Sequence, residues 1–163
     1  MSKATELKSH ALSHRLPEQV FTRSRSTLDP SQDVWEWTDG PFIARLDFRR
    51  LNGNAKFLKE PLKEALIPYL KGHSSKHVTN LFQAFIHFLE SAPAYPTSAI
   101  DEQDVANYAA RLGEHEKGRM GTLNVLLQKW VELQLPGVTA ECAAYLREHR
   151  KPGNSKGDAV RTR

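Results

Sequence analysis

The stretch SKHVTNLFQAFIHFL, from Ser75 to Leu89, decides the fold of this 163-residue chain. Ser74 or Ser75 can cap the N-terminus of a helix here, and Pro93 and Pro96 stop that helix after Leu89. The pattern predicts an amphipathic helix that packs one face into a core. The apolar residues of that face recur every three or four positions: Val78, Leu81, Phe82, Phe85, Ile86 and Leu89.

Four more helices are predicted around this stretch. One covers about 55–72, where Pro61 is tolerable in the first turn, Pro68 marks a kink or an end, and Gly72 is the stop. The other three run from Asp101 to Gly113, from Gly118–Thr122 to Pro136, and from the capping residue Thr139 to about 150. Four or five amphipathic helices with short connections predict an all-α bundle over residues 54–150.

The ends of the chain have a different composition. In residues 31–53, two aromatic and β-branched runs flank Asp39-Gly40-Pro41, which predicts a short β-hairpin whose Trp35 and Trp37 lay the segment onto the helices. Residues 1–30 are polar and lack a sustained period, so we expect a flexible basic arm. Residues 151–163 have the composition of a basic linker or tail.

The charge of the chain points only weakly to nucleic acid. The net charge is +4 and the isoelectric point is near 9.3, but the excess of Lys and Arg lies in residues 1–28 and 147–163, and the body is slightly acidic. Basic tails are also common on proteins that do not bind nucleic acid. The lone Cys142 and the absence of a signal-peptide or membrane-span pattern predict a cytoplasmic protein without disulfides.

Catalytic patterns are missing from the sequence. It contains no nucleophile elbow, no phosphate-binding glycine loop and no zinc-protease motif. The carboxylates of Asp101, Glu102 and Asp104 fit a helix start better than a metal cage, and Cys142 fits a small packing residue better than a reactive thiol. We therefore expect no enzyme activity, no metal, no cofactor and no small-molecule substrate.

Two helix starts combine small polar residues with basic ones, which suits phosphate binding. Polar residues further along the same helices could reach base edges or sugar oxygens. The plain alternative is that these residues are exposed helix caps with only local roles. The candidate residues are Ser74, Ser75, Lys76, His77 and Asn80 on one helix, and Lys117, Arg119, Thr122, Asn124 and Lys129 on the other.

The chain resembles the N-terminal core-binding (SAM-like) domain of tyrosine recombinases, the phage-type integrases, in the order of these motifs. The likeness covers about 62–156 of the sequence. Three groups of motifs carry it. The first is Ser74-Ser75-Lys76-His77 with the aromatic run Leu81-Phe82-x-x-Phe85-x-x-Phe88-Leu89, and the second is Thr97-Ser98-Ala99-Ile100-Asp101 with Asp104, Val105 and Tyr108. The third is Gly121-Thr122-Leu123-Asn124 with Leu127, Lys129 and Trp130, followed by Leu135-Pro136-Gly137-Val138.

The resemblance implies an orthogonal bundle of four or five helices that forms one arm of a C-shaped clamp around double-stranded DNA. It implies that other recombinase subunits are partners as well. The family's linker to its catalytic domain falls where Lys151 and Lys156 stand, so these two lysines join the expected DNA contacts. The other contacts carried over are Ser75, Lys76, His77, Asn80, Lys117, Arg119, Thr122 and Lys129.

The sequence departs from the family at its C-terminal end. Members continue into a domain with the Arg, His and Tyr residues that cleave and rejoin DNA, whereas this sequence ends at Arg163 before such a set. We expect DNA binding without strand cleavage by this chain alone, either as a domain cut from a longer integrase or as a stand-alone remnant. A second hypothesis is a helical protein-interaction module that docks a partner through Trp35, Trp37 and Phe42, with solubilising basic tails.

Overall fold

The computed structural model of the chain describes residues 16–91 and 99–148. In the N-terminal part, β1 (Val20–Phe21) pairs with β2 (Thr27–Leu28), and β3 (Val34–Asp39) pairs with β4 (Phe42–Asp47). Both pairs are antiparallel. The turn between β3 and β4 is Gly40-Pro41, as the sequence predicts, and Gly40 has a φ of +65°.

The flexible arm predicted for residues 1–30 is corrected over 16–30. Val20 and Leu28 are buried there, and the Arg23 amide donates a hydrogen bond to the Leu70 carbonyl at 2.9 Å. The prediction failed because each of these strands is only two residues long, too short to show a period in the sequence. The remainder of the predicted arm, residues 1–15, lies outside the described residues.

Five α-helices follow the strands in the described ranges, which confirms the predicted number. They are α1 (Lys59–Gly72), α2 (Ser75–Ser91), α3 (Glu102–Arg111), α4 (Lys117–Glu132) and α5 (Ala140–Glu148). Short 3-10 turns lie at Phe48–Leu51, Lys56–Leu58 and Glu114–Glu116. The fold is mostly helical. It is not purely all-α, because it also contains the two strand pairs. Across the described residues, no helix is long and apolar enough to cross a membrane.

Local signals set most of the helix ends. Asp101 and Asp104 form a reciprocal capping box, with amide-to-carboxylate distances of 2.9 and 3.0 Å, which confirms their interpretation as a helix start. The Thr139 hydroxyl accepts a hydrogen bond from the Cys142 amide at 3.0 Å and so caps α5. Pro68 does not end α1, which continues to Gly72. The predicted stops at Pro93 and Pro96 lie outside the described residues.

Helix α2 joins the strands and the other helices into one core. Phe48, just after β4, packs edge-on against Trp35 of β3 at 4.7 Å and against Phe82 of α2 at 5.1 Å between ring centroids. One turn further along α2, Phe85 stacks on Trp130 of α4 at 5.2 Å. Trp35 and Trp37 are buried, which confirms that they lay the hairpin onto the helical body.

The connection between α4 and α5 is held by short-range contacts around Gly137. The Trp130 indole donates a hydrogen bond to the Pro136 carbonyl at 2.8 Å, and the Ile100 amide donates to the Gly137 carbonyl at 2.7 Å. The Thr139 amide returns a bond to the Ile100 carbonyl at 2.9 Å. This connection therefore ties the segment that enters α3 to the segment that enters α5.

Candidate nucleic-acid interface

A groove of about 250 Å³ lies between the first turns of α2 and α4. It brings together His77 and Asn80 from one predicted helix start and Thr122 from the other. Asn80 is exposed, and His77 and Thr122 are half-buried. The groove is lined by His77, Asn80, Leu81, Gly118, Gly121, Thr122 and Val125.

The two cations that the DNA hypothesis needs, Lys76 and Arg119, are both exposed. On α2, Lys76 shares a face with Asn80 and His87, because positions four and eleven residues apart recur on one side of a helix. Arg119 acts electrostatically on the hydroxyl of Tyr108, which lies 2.8 Å from His87 Nδ1. In the sequence, Lys76 directly precedes His77 and Arg119 directly follows Gly118, and both His77 and Gly118 line the groove.

The start of α2 differs from the phosphate site that the sequence predicts. The Ser75 amide donates a hydrogen bond to Asp39 Oδ2 at 2.8 Å, and the Ser74 hydroxyl accepts one from the His77 amide at 3.2 Å. The bond from the Ser75 amide is the main reason that the pKa of Asp39 is lowered. A carboxylate of the hairpin turn already lies at this helix start, so a phosphate would have to compete with Asp39 there. The predicted phosphate contacts of Ser74 and Ser75 stay predictions.

We expect Asp39→Ala to lower the melting temperature at pH 7, because α2 loses the anion at its N-terminus. The folded-state pKa of Asp39 is lowered, so its stabilising effect is present above about pH 4. The effect disappears as the pH falls through the folded-state pKa and the carboxylate is protonated. Thermal melts of Asp39→Ala and wild type from pH 7 to pH 2 measure this difference.

The matched control is Asp39→Asn, which keeps a hydrogen-bond acceptor for the Ser75 amide but loses the charge. Its melting temperature should lie between those of wild type and Asp39→Ala at pH 7. An Asp39→Ala variant that melts with wild type at pH 7 would show that the carboxylate does not stabilise α2.

The other residues predicted to contact DNA do not share one environment. Lys129 pairs with Glu132 at 3.3 Å and lies 5.8 Å above the Tyr69 ring, so its charge is already engaged. The Gln128 side-chain amide donates a hydrogen bond to the Leu146 carbonyl at 2.7 Å, so this side of α4 faces α5. Asn124 is half-buried and lies one turn before Gln128 on the same side. Lys117 is exposed at the start of α4. Lys151 and Lys156 lie outside the described residues.

An aromatic cluster beside the groove was not predicted. The rings of His73 and His77 stack at 4.7 Å, and Tyr69 lies 5.2 Å from His73 and 5.6 Å from His77. Burial, followed by the charge of His73, lowers the pKa of His77. The spacing in the sequence could not reveal this cluster, because α1 ends between Tyr69 and His77 and the three rings meet only through the turn.

No protein-family model, curated protein or solved structure matches this chain.

One group in the described residues resembles acid–base machinery. His87 places Nδ1 2.8 Å from the Tyr108 hydroxyl and Nε2 3.8 Å from Glu116. Tyr108 is completely buried, and burial raises its pKa. Its hydroxyl cannot reach a substrate, so the contact with His87 satisfies a buried polar group.

The lone cysteine is accounted for by packing. Cys142 is buried, and burial raises the pKa of its thiol to about 12, in agreement with the interpretation of a packing residue. In residues 16–91 and 99–148, no group of three or more His, Cys, Asp or Glu could hold a metal ion.

Proposed function

We propose that this chain binds double-stranded DNA through the α2–α4 face, as the SAM-like core-binding arm of a tyrosine recombinase. The proposed activity is binding, without cleavage of strands by this chain alone. The observation that supports the proposal best is the open groove in which His77 and Asn80 of α2 meet Thr122 of α4. Lys76 and Arg119, the sequence neighbours of the groove residues His77 and Gly118, are both exposed.

Basic and polar side chains lie along one side of α2. Lys76 is followed by Asn80 and Gln83 at helical spacings of four and three residues, and all three are exposed. The major groove of DNA is about 12 Å wide and admits an α-helix. In such an approach Lys76 can reach a phosphate, and the amides of Asn80 and Gln83 can donate to base edges.

Two glycines in α4 support the close approach of a partner. Gly118 and Gly121 lie inside this helix, and a Cβ at either position would meet no atom within 4 Å. Gly118 lies in the first turn of α4, but Gly121 lies in the second turn, where a glycine costs about 1 kcal/mol relative to alanine. Packing inside the described residues does not explain that cost. A DNA backbone lying against the groove would explain it, because it would occupy the space that a methyl group would take.

Replacing Gly121 by alanine tests this use of the groove. We expect Gly121→Ala to stabilise the protein by about 0.5–1 kcal/mol through helix propensity, and to weaken binding of duplex DNA about tenfold through the added methyl group. Chemical denaturation measures the first effect, and fluorescence anisotropy with a labelled duplex measures the second.

The control is Gly72→Ala at the end of α1, where a Cβ also meets nothing within 4 Å but does not line the groove. It should leave DNA affinity unchanged. If Gly121→Ala binds duplex as tightly as Gly72→Ala does, DNA does not approach this part of α4.

Of the three residues named for a protein-interaction module, only Phe42 is free to contact a partner. Trp35 and Trp37 are buried and cannot contact a partner, whereas Phe42 and Ile43 at the hairpin tip are each 67% exposed. This exposure favours the hairpin tip as the contact surface if the chain docks a protein. Stable oligomers that dissociate in a Phe42→Ser variant, together with background affinity for DNA, would favour this alternative over DNA binding.

A further inference from the structure

A cavity of about 300 Å³ lies where the start of α1 meets the segment that leads into β3. Three lysines line it: Lys56, Lys59 and Lys63. Asp33 and Glu60 are the carboxylate residues of its wall. The lining side chains therefore carry three positive charges and two negative ones. The sequence gives no sign of this cavity, because Asp33 and Lys63 come together only through the fold.

Lys63 is the unusual member of the cavity wall, since only 4% of its surface is exposed. Its ammonium donates a hydrogen bond to the Gln32 carbonyl at 2.9 Å and lies 5.2 Å from the centre of the Phe48 ring. An ammonium has three donors, so the Gln32 carbonyl satisfies only one of them. Burial is the main reason that the pKa of Lys63 is lowered.

The neighbouring carboxylates do not neutralise Lys63 directly. Asp33 bonds Lys59 at 3.2 Å, and Lys63 is in none of the ion pairs within 4 Å that the described residues form. Asp33, Glu60 and Asp29 act on Lys63 only at longer range, and the charge of Lys59 opposes its protonation. A buried ammonium without a bonded anion is costly, and an oxyanion in the cavity would offset that cost.

We propose that this cavity binds the phosphate group of a small phosphorylated molecule through Lys56, Lys59 and Lys63. A phosphate carries three terminal oxygens, which can accept hydrogen bonds from Lys56 and from the free donors of Lys63. The Lys59 ammonium has three donors and uses one of them on Asp33, so it can also donate to the phosphate. A volume of about 300 Å³ holds a small phosphorylated molecule and is at the lower end of ligand pockets. The site is separate in its residues from the α2–α4 groove.

Calorimetric titration of the full chain with inorganic phosphate, against sodium chloride of equal ionic strength, tests the site. We expect saturable one-to-one binding of phosphate. Lys56→Gln should weaken it at least about fivefold, because it removes one charged donor from an exposed position. Lys71→Gln, an exposed lysine at the other end of α1, should bind phosphate like wild type.

Two further measurements distinguish loss of phosphate binding from unfolding and from loss of DNA binding. Lys63→Met removes the buried ammonium and should abolish phosphate binding while the protein still melts cooperatively. Lys56→Gln should leave the affinity for duplex DNA unchanged, since the proposed small ligand and the DNA use different residues. The proposal is overturned if wild type shows no saturable phosphate binding, if Lys56→Gln binds phosphate like Lys71→Gln, or if phosphate displaces duplex and Lys56→Gln weakens duplex binding.

Discussion

Gly137→Ala is expected to lower the free energy of unfolding by about 3 kcal/mol, the largest loss of stability that we predict for a single methyl group in this protein. Gly137 has a φ of +109°, a backbone conformation that residues with a Cβ rarely adopt. A Cβ there would lie 2.8 Å from Leu58 Cδ2 and 3.4 Å from Trp130 Cζ2. Backbone strain and overpacking therefore act at the same position.

The consequences extend beyond Gly137 itself. Its carbonyl accepts the Ile100 amide at 2.7 Å, and the adjacent Pro136 carbonyl accepts the Trp130 indole at 2.8 Å. A shift that relieves the contact with Leu58 would lengthen these bonds, which join the entries to α3 and α5. We expect the whole helical body to lose stability in one cooperative transition.

Urea denaturation of Gly137→Ala beside Gly53→Ala separates the two causes. Gly53 has a similar positive φ, +95°, but a Cβ there meets no atom within 4 Å, so this control measures backbone strain without overpacking and should cost about 1–2 kcal/mol. If the two variants lose equal stability, the contact of Gly137 with Leu58 and Trp130 does not contribute.

The helices could be predicted from sequence because their signals are local. The apolar stripe of α2 lies within one stretch of chain, and the capping carboxylates of α3 lie three residues apart. The hairpin was predictable for the same reason, since its turn residues separate two apolar runs. Strands β1 and β2 were not, because two-residue strands gain their order from packing against α1 and from hydrogen bonds between the Ser24 and Ser26 hydroxyls and the Thr38 carbonyl.

The candidate site could be predicted only in part, for a related reason. The sequence indicates that Lys76 and Arg119 are basic and lie near helix starts, and the structure leaves both exposed. That Asp39 occupies the start of α2 depends on a contact between residues 36 positions apart in the chain. The stacking of His73 on His77 depends on the angle between α1 and α2. Periodicity within one helix does not contain such information.

The second large effect is expected on DNA affinity. Each neutralised phosphate releases counterions, so the logarithm of the binding constant falls with the logarithm of salt concentration by about 0.9 per contact. Replacing Lys76 and Arg119 together by alanine should remove two such contacts. We expect affinity for duplex DNA to fall on the order of 50-fold at 0.1 M salt, and the loss should shrink as salt is raised.

A control with the same change in net charge is Lys71→Ala combined with Arg45→Ala. Both side chains are exposed, one at the end of α1 and the other on β4, and neither lines the groove. General attraction between a basic protein and DNA would weaken equally in both double variants. Contact at the α2–α4 face would weaken only when Lys76 and Arg119 are replaced.

The most direct measurement is the salt dependence of duplex binding by wild type and the two double variants. It is followed by fluorescence anisotropy between 0.05 and 0.3 M salt, a range over which the Debye length falls from about 14 to about 6 Å. DNA binding through the α2–α4 face predicts a slope shallower by about two for Lys76→Ala/Arg119→Ala and a wild-type slope for Lys71→Ala/Arg45→Ala. Equal slopes in the two double variants, or no measurable duplex binding by wild type, would contradict it.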